Sequence, residues 1–433
     1  SSQQSNEIFD LVYNIENSLS DYEDPLMNQA TIPFYILKGI DLYFKDRDYQ
    51  TYKTAPLNNY CKEFCLIYVN IRSSLMDKII IEKNYPDLIQ SNEIRNYFKH
   101  LIILETDELP KSYGKPQLVT LHKNEEHLKK IVETKKIKIA LIPAMRTRWF
   151  EFDVKQGSSF EVKYDKSQIE SIKTRVAALL KWGIECKVNI IVFPEYICQE
   201  VIQTEIQNTL RQMSINDPKK LEELLFVAAG SGWTSVSNNV SCLYSYDGNL
   251  LGKVYKYSAY DNDINGKKYT ERLLNPGKEI TLVEIPGIGI FQTEICRNVS
   301  VNEFCLKLAK AFNTSFLLIA AWSPSVNIGF KKQIDAIVSS NHRACAAMAN
   351  CCAVFSDLEE FRDEIGIVSA PQKKGSVIEA SYQYVKRNKQ ECGCCESGCI
   401  FKICYDFNGT GQKDINLKTV MRILNSDNLL QIL

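Results

Sequence analysis

Three residues stand where strands of this sequence end: a carboxylate, an ammonium and a thiol. Together they could carry out acyl transfer. Glu195 follows directly on the apolar run Ile190-Ile191-Val192-Phe193-Pro194. A carboxylate at the exit of a buried strand is partly desolvated, which raises its pKa and suits it to general-base work. Lys256 closes a hairpin in Gly252-Lys253-Val254-Tyr255-Lys256. A fixed cation beside a reacting carbonyl stabilises the oxyanion that develops there. Cys296 ends the strand 288–295, with Arg297 beside it and a helix soon after. Both neighbours favour thiolate over thiol. Taken singly, each residue also has a plainer reading: a loop carboxylate after Pro, a solvated hairpin lysine, a small buried hydrophobe.

Strand ends are where α/β sites gather, so the surrounding elements must supply them in order. Residues 137–142 read as a strand, and 166–186 as a helix with Ile169, Ile172, Val176, Leu179 and Leu180 on one face. Val188 to Phe193 is a short, wholly apolar run, the pattern of a buried strand. A helix over about 198–222 precedes a strand at 224–229 that runs into Gly230-Ser231-Gly232. Residues 240–246 and 250–257 form a hairpin about Asp247-Gly248, a pair suited to a tight turn. Strands at 281–285 and 288–295 join through Pro286-Gly287; a helix at 301–312, a strand at 315–320 and a helix at 330–348 follow, and the remainder is mostly extended. Hairpins among crossovers predict an α/β domain with mixed strand pairing. Upstream, Ile8, Leu11, Val12 and Ile15, and again Phe34, Leu37, Ile40 and Phe44, recur at helical spacing. The charged, Pro- and Gly-bearing segment 105–116 marks a boundary, followed by a short amphipathic helix to about Lys130. The expected division is a mainly helical region over 1–130 and an α/β domain over 131–433.

The totals are ordinary for a soluble globular protein. The 433 residues suit two domains at roughly 100–200 residues each. Hydrophobic residues make up 45% and charged residues 24%, enough for a large core without disulfides. Lys+Arg and Asp+Glu both number 52, so no global field draws the chain to nucleic acid or membrane. No apolar run of about 18 residues exists to span a bilayer. Fifteen cysteines, an odd number scattered through apolar stretches, point to a reducing, cytoplasmic setting and free thiols.

The order Phe193-Pro194-Glu195, then Lys256 after its hairpin, then Ile295-Cys296-Arg297-Asn298 resembles the Glu–Lys–Cys arrangement of the nitrilase (carbon–nitrogen hydrolase) superfamily. Further pieces match in the same order: Gly230-Ser231-Gly232, Glu271-Arg272 with Asn275-Pro276-Gly277, Ala320-Ala321-Trp322, and Arg343-Ala344 in the helix that follows. The resemblance covers about residues 136–433. It implies a four-layer α-β-β-α sandwich and a cysteine hydrolase acting through a thioester acyl-enzyme. Cys296 would attack a nitrile or amide carbon, amide being the better fit. Glu195 would take its proton and later activate water. Lys256 would hold the oxyanion, its spacing from Gly252 favouring it over Lys253. Glu271 would orient Lys256 or share in the proton handling. Arg297, Asn298 and Trp322 would line the substrate. The resemblance implies no cofactor and no metal, a small-molecule amide or nitrile as substrate, and a homo-oligomer. The chain departs from the family at Ser258, where a His is usual, at Asn298, where an Asp is usual, and at Ala346-Ala347, where Glu-Asn is usual. Those departures leave open a second reading, a catalytically weak module kept for oligomerisation and partner binding.

Two weaker signals remain. Cys392, Cys394, Cys395, Cys399 and Cys404 are dense enough to reach one zinc ion, although the pairs lack clean Cys-x2-Cys spacing and 399–404 also reads as an apolar strand. Arg146, Arg148, Trp149 and Phe150 follow the first strand and read either as a packed loop or as part of a substrate mouth. The helical lead-in and the absence of an initiating Met suit a fragment of a reverse transcriptase–nitrilase fusion from bacterial antiviral defence. Nucleic acid would then be met only through the polymerase.

Overall fold

This computed structural model describes residues 65–69, 101–105, 115–123, 125–144, 150–155, 159–234, 238–264, 267–273, 279–301, 303–323, 326, 329–340, 344–351, 364–374, 377–386, 399–407 and 416–423. The chain divides into two compact units, Ser1–Ser73 with Tyr85–Thr106, and Ser74–Asn84 with Asp107–Leu433. In the first unit the described residues form two strands, β1 (Cys65–Val69) and β2 (Leu101–Glu105), paired antiparallel with Ile67 opposite Ile103. Where the region 1–130 was expected to be mainly helical, these two segments are extended. Both are short runs of β-branched, aromatic and aliphatic residues that suit a pleated surface. The helical periodicities at 8–15 and 34–44 lie outside the described residues.

The second unit opens with β3 (Lys115–Thr120), α1 (Glu125–Thr134) and β4 (Lys136–Leu141). A hairpin of β5 (Phe150–Lys155) and β6 (Ser159–Tyr164) leads to α2 (Ile169–Glu185), β7 (Ile190–Val192) and α3 (Glu200–Asn216). Next come β8 (Phe226–Trp233), β9 (Asn239–Ser245), β10 (Leu250–Tyr255), β11 (Asp261–Ile264), β12 (Lys267–Glu271), β13 (Glu279–Ile285) and β14 (Gly289–Ile295). The short helix α4 (Arg297–Val301) precedes α5 (Glu303–Ala311), β15 (Phe316–Ala321), α6 (Phe330–Ser340) and β16 (Cys345–Asn350). Two hairpins finish the unit, β17 (Glu364–Lys374) with β18 (Val377–Lys386) and β19 (Cys399–Asp406) with β20 (Asn416–Ile423).

One sheet of 14 strands runs β18-β17-β16-β15-β14-β13-β10-β9-β8-β7-β4-β19-β20, with β3 added on β13. Crossovers make β4-β7-β8 and β14-β15-β16 parallel, and hairpins make β8-β9-β10 and β13-β14 antiparallel. A smaller sheet, β11-β12-β6-β5, lies off this path.

Alternation along the strands explains the layering. On β7, Ile190 and Val192 enter one core while Ile191 enters another with Leu179 and Leu180 of α2 and Ile206 of α3. Successive side chains on a strand point to opposite faces, so a strand buried on both faces serves two cores. Ile139 and Ala140 of β4, and Ala228 and Val227 of β8, divide the same way. The first core lies between two halves of the sheet. There Phe226 of β8 meets Phe291 of β14 edge-on at 5.5 Å, and Phe316 of β15 meets Tyr405 of β19 edge-on at 5.5 Å. Cys305 and Ala309 of α5 and Ile334 and Ile337 of α6 close the far side. The layers are therefore α-β-β-α, as the resemblance to the nitrilase superfamily implied.

One element differs from its sequence reading. The helix expected over 330–348 stops at Ser340, and Cys345–Asn350 is a strand parallel to β15. Ala346, Ala347 and Ala349 favour a helix locally, but every residue of β16 is buried between β15 and β17. Tertiary burial outweighs a propensity of a few tenths of a kcal/mol per residue. Ala344 accordingly precedes a strand rather than lying in a helix. Among the described residues no helix is long and apolar enough to cross a membrane. Residues 145–149 and Cys392, Cys394 and Cys395 lie outside the described residues.

Candidate active site

Glu195 rides a loop that leaves β7 and crosses the end of β8. Glycines make that crossing possible. Gly230 has φ +67°, and a Cβ there would sit 2.9 Å from Phe193 Cβ; at Gly232 it would sit 2.6 Å from the carbonyl carbon of Cys198. Ser231 N–H donates to Pro194 O at 3.2 Å, and Cys198 N–H donates to Ser231 O at 3.0 Å. Glu195 N–H donates to Ala321 O of β15 at 3.4 Å, so the loop is tied to both halves of the sheet.

The loop points Glu195 at Lys256. Both side chains are fully buried, and Nζ lies 2.6 Å from Glu195 Oε1 and 2.6 Å from Glu271 Oε2. Asn239 Nδ2 donates to Glu195 Oε1 at 2.9 Å and to Glu271 Oε1 at 3.2 Å. Tyr196 OH donates to Glu271 Oε1 at 2.8 Å, and Tyr260 N–H donates to Glu271 Oε2 at 3.0 Å. Burial works against the Lys256 ammonium, but Glu195 and Glu271 more than offset it and hold the lysine above its usual pKa. For Glu195 the balance tips the other way. Burial raises it, Lys256 lowers it, Glu271 raises it again, and the net shift is upward. Its second oxygen, Oε2, is buried and meets no conventional hydrogen-bond donor among the described residues. The Cys296 thiol lies beside this carboxyl.

Cys296 sits at the turn from β14 into α4 with φ +41°, a left-handed conformation uncommon for a residue other than glycine. Its N–H donates to Ala320 O at 2.9 Å and its thiol to Trp322 O at 3.9 Å. The expected bias toward thiolate is corrected here. Burial, then the Glu195 charge, push the thiol up, with Lys256 opposing. Arg297 does not serve the sulfur, because its guanidinium is directed to Asp261, Nη2 to Oδ2 at 3.8 Å. The resting pair is a neutral thiol beside a carboxyl group.

Asn298, expected to meet substrate, is 2% exposed and committed elsewhere. Its Oδ1 accepts from Tyr257 N–H at 2.8 Å and Ser258 N–H at 3.0 Å. Its Nδ2 donates to Tyr255 O at 3.0 Å and Glu294 Oε2 at 3.2 Å. Asn298 thus clamps the Lys256 segment to the helix that follows Cys296. Glu294 is buried in β14 and also accepts from Gln292 Nε2 at 2.9 Å; burial pushes its carboxyl up to about 7 against the opposing pull of these two donors. The Trp322 ring is buried and packs edge-on to Tyr196 at 5.0 Å. The structure therefore brings Glu195, Lys256, Glu271 and Cys296 together, with Trp322 alongside.

Asn239, Tyr196 and Glu294 were not foreseen. A carboxylate beside Gln292 and Thr293 in a strand that runs into the nucleophile is the signal that could have found Glu294, since a buried polar group needs partners. Asn239 and Tyr196 have no comparable signature. Among the described residues no group of His, Cys, Asp and Glu is arranged to hold a metal ion. Of the cysteine-rich segment, Cys399 and Cys404 fall in β19.

No protein-family model matches the chain, and no curated protein does. Among solved structures it is similar to Nit3 of Saccharomyces cerevisiae, a member of branch 10 of the nitrilase superfamily, with 13% identity, TM-score 0.40, and 58% of this chain and 90% of Nit3 covered. It is similar to the glutamine-dependent NAD+ synthetase of Acinetobacter baumannii at 14% identity and TM-score 0.39, over 65% of this chain and about half, 49%, of the synthetase. It is also similar to an amidase of the nitrilase superfamily from Nesterenkonia AN1 at 10% identity and TM-score 0.35, over 68% of this chain and 93% of the amidase.

Proposed function

We propose that this protein is a cysteine hydrolase of the nitrilase superfamily, cleaving a non-peptide C–N bond, an amide in preference to a nitrile. The observation that carries the reading is the buried Glu195–Lys256–Glu271 ion set beside Cys296. Glu195 Oε2 accepts the thiol proton as Sγ bonds to the carbonyl carbon. A base whose pKa is raised toward neutrality takes that proton with less cost. An ammonium has three donors, and two of those on Lys256 are spent on the carboxylates. The third steadies the oxyanion of the tetrahedral adduct. Collapse breaks the C–N bond, and protonated Glu195 returns its proton to the departing amine. The thioester is then hydrolysed by a water that Glu195 deprotonates, releasing the acid and restoring the thiol.

Brief treatment with a thiol-directed electrophile at neutral pH, read by intact mass, tests this. Wild type should take one fast label that vanishes in Cys296→Ala and slows at least tenfold in Lys256→Ala. Small amides should then compete with the label. Even labelling over many cysteines, unchanged by either substitution, would remove the reading and leave a fold kept for assembly. A homo-oligomer and a place in an antiviral fusion belong to the same proposal, and size-exclusion chromatography with light scattering tests the first.

A further inference from the structure

Arg297 stands next to the nucleophile and at the rim of the buried site, its side chain 29% exposed. Its contact with Asp261, at 3.8 Å, is too long for a hydrogen bond. Its Cζ lies 6.0 Å from the centroid of the Tyr260 ring. Tyr260 links rim to centre: its N–H binds Glu271, and its hydroxyl senses burial first, then Cys296, Arg297, Lys256 and Glu195.

Asp261 does not depend on Arg297. Thr270 Oγ1 donates to Asp261 Oδ1 at 2.8 Å, and Lys268 Nζ lies 3.2 Å from Oδ2. The guanidinium can therefore turn away without stranding the carboxylate. Inside, the lysine charge is already shared between two carboxylates. An incoming anion gains little from Lys256 and is repelled by Glu195 and Glu271. Among the described residues, the cation adjacent to Cys296 that has charge and donors to offer is Arg297. Its planar fork matches a carboxylate in bidentate geometry.

We propose that Arg297 sets the substrate class: it exchanges its long contact with Asp261 for a paired contact with a carboxylate that the substrate carries close to its scissile carbon. This rests on Cys296 being the nucleophile. Iodoacetate and iodoacetamide separate the two ideas, since they are near-isosteric and differ in one charge. In both, Sγ bonds to the methylene carbon, iodide leaves, and the thiol proton passes to base. The quantity read is the iodoacetate-to-iodoacetamide rate ratio at Cys296, by site-resolved peptide mapping at neutral pH, relative to the same ratio for N-acetylcysteine. Taking a ratio cancels changes in thiol nucleophilicity.

The wild-type ratio should exceed that of the free thiol by about fivefold, the scale of one partly exposed ion pair. Arg297→Gln should bring it to the free-thiol value or below, and Arg297→Lys should keep part of it. Asp261→Asn should raise it, since the competing carboxylate is gone. A ratio unchanged within about twofold by Arg297→Gln overturns the inference while leaving the nucleophile intact. Slow labelling of Cys296 by both reagents sinks the nucleophile reading and this inference with it.

Discussion

Burial keeps the proton on Cys296 and raises the proton affinity of the Glu195 carboxylate, while two carboxylates keep Lys256 charged. A thiol and a carboxyl in that condition can pass one proton between them without solvent, which suits a nucleophile needed only when substrate is bound. Glu294, two residues before the thiol, is a separate case because it touches only Gln292 and Asn298 in the described hydrogen bonds. Its folded value of about 7 lies above the usual 4.5. The unfolded chain therefore releases this proton near its usual value while the folded chain keeps it until about neutrality. Between those limits the folded state binds more protons, so stability is full in acid and falls as pH rises through 7. The loss amounts to about 3 kcal/mol. Denaturant titrations at pH 5 and pH 8 should show wild type losing most of that, about 2.5 kcal/mol, more than Glu294→Gln. Parallel pH slopes for the two proteins would contradict it.

The elements that carry the site are short, and each is anchored by something outside itself. The Glu195 loop follows a three-residue strand, and α4 after Cys296 has five residues. Neither would hold its shape alone. The close approach at Gly232 fixes the first, and the Asn298 amide clamps the second to the Lys256 segment. Gly232→Ala would drive a methyl group into the backbone of Cys198 and Gln199. That should destabilise the fold by about 1–3 kcal/mol. It should also slow alkylation of Cys296 at least tenfold, because the displaced loop carries the base. Folded protein with unaltered alkylation kinetics would show that the loop does not depend on this contact.

At the scale of the whole second unit, the site is assembled from both halves of the sheet. Glu195 follows β7, Asn239 opens β9, Lys256 follows β10, and Cys296 follows β14. Phe316 helps to set the spacing of the halves: it stacks on Phe291 at 4.8 Å and meets Tyr405 edge-on at 5.5 Å and Phe407 edge-on at 6.2 Å. Phe316→Ala should cost about 3–5 kcal/mol in urea unfolding, the range for a fully buried aromatic. A loss below about 1 kcal/mol would mean that the two halves are held together elsewhere.

Strand ends are legible in this sequence because apolar runs that stop at Glu195 and Cys296 carry their chemistry at the stop. The mixed α/β class follows from the same alternation of buried runs, amphipathic helices and an Asp-Gly hairpin. Periodicity reports how a residue meets its own element, however, and says little about which other element it faces. That is why β16 passed for helix, its alanines carrying no mark of the strands on either side. It is also why Asn298 passed for a substrate contact, when its amide is consumed by a segment some 40 residues away in the chain. The same limit applies to charge. An arginine beside a cysteine predicts a thiolate, but only the tertiary structure decides that Asp261 takes the guanidinium while burial keeps the proton on sulfur. Local sequence determined the residue types and their order. Long-range packing decided their protonation, their partners and the enclosure in which they meet, because desolvation and hydrogen bonding depend on neighbours that the chain supplies from far away.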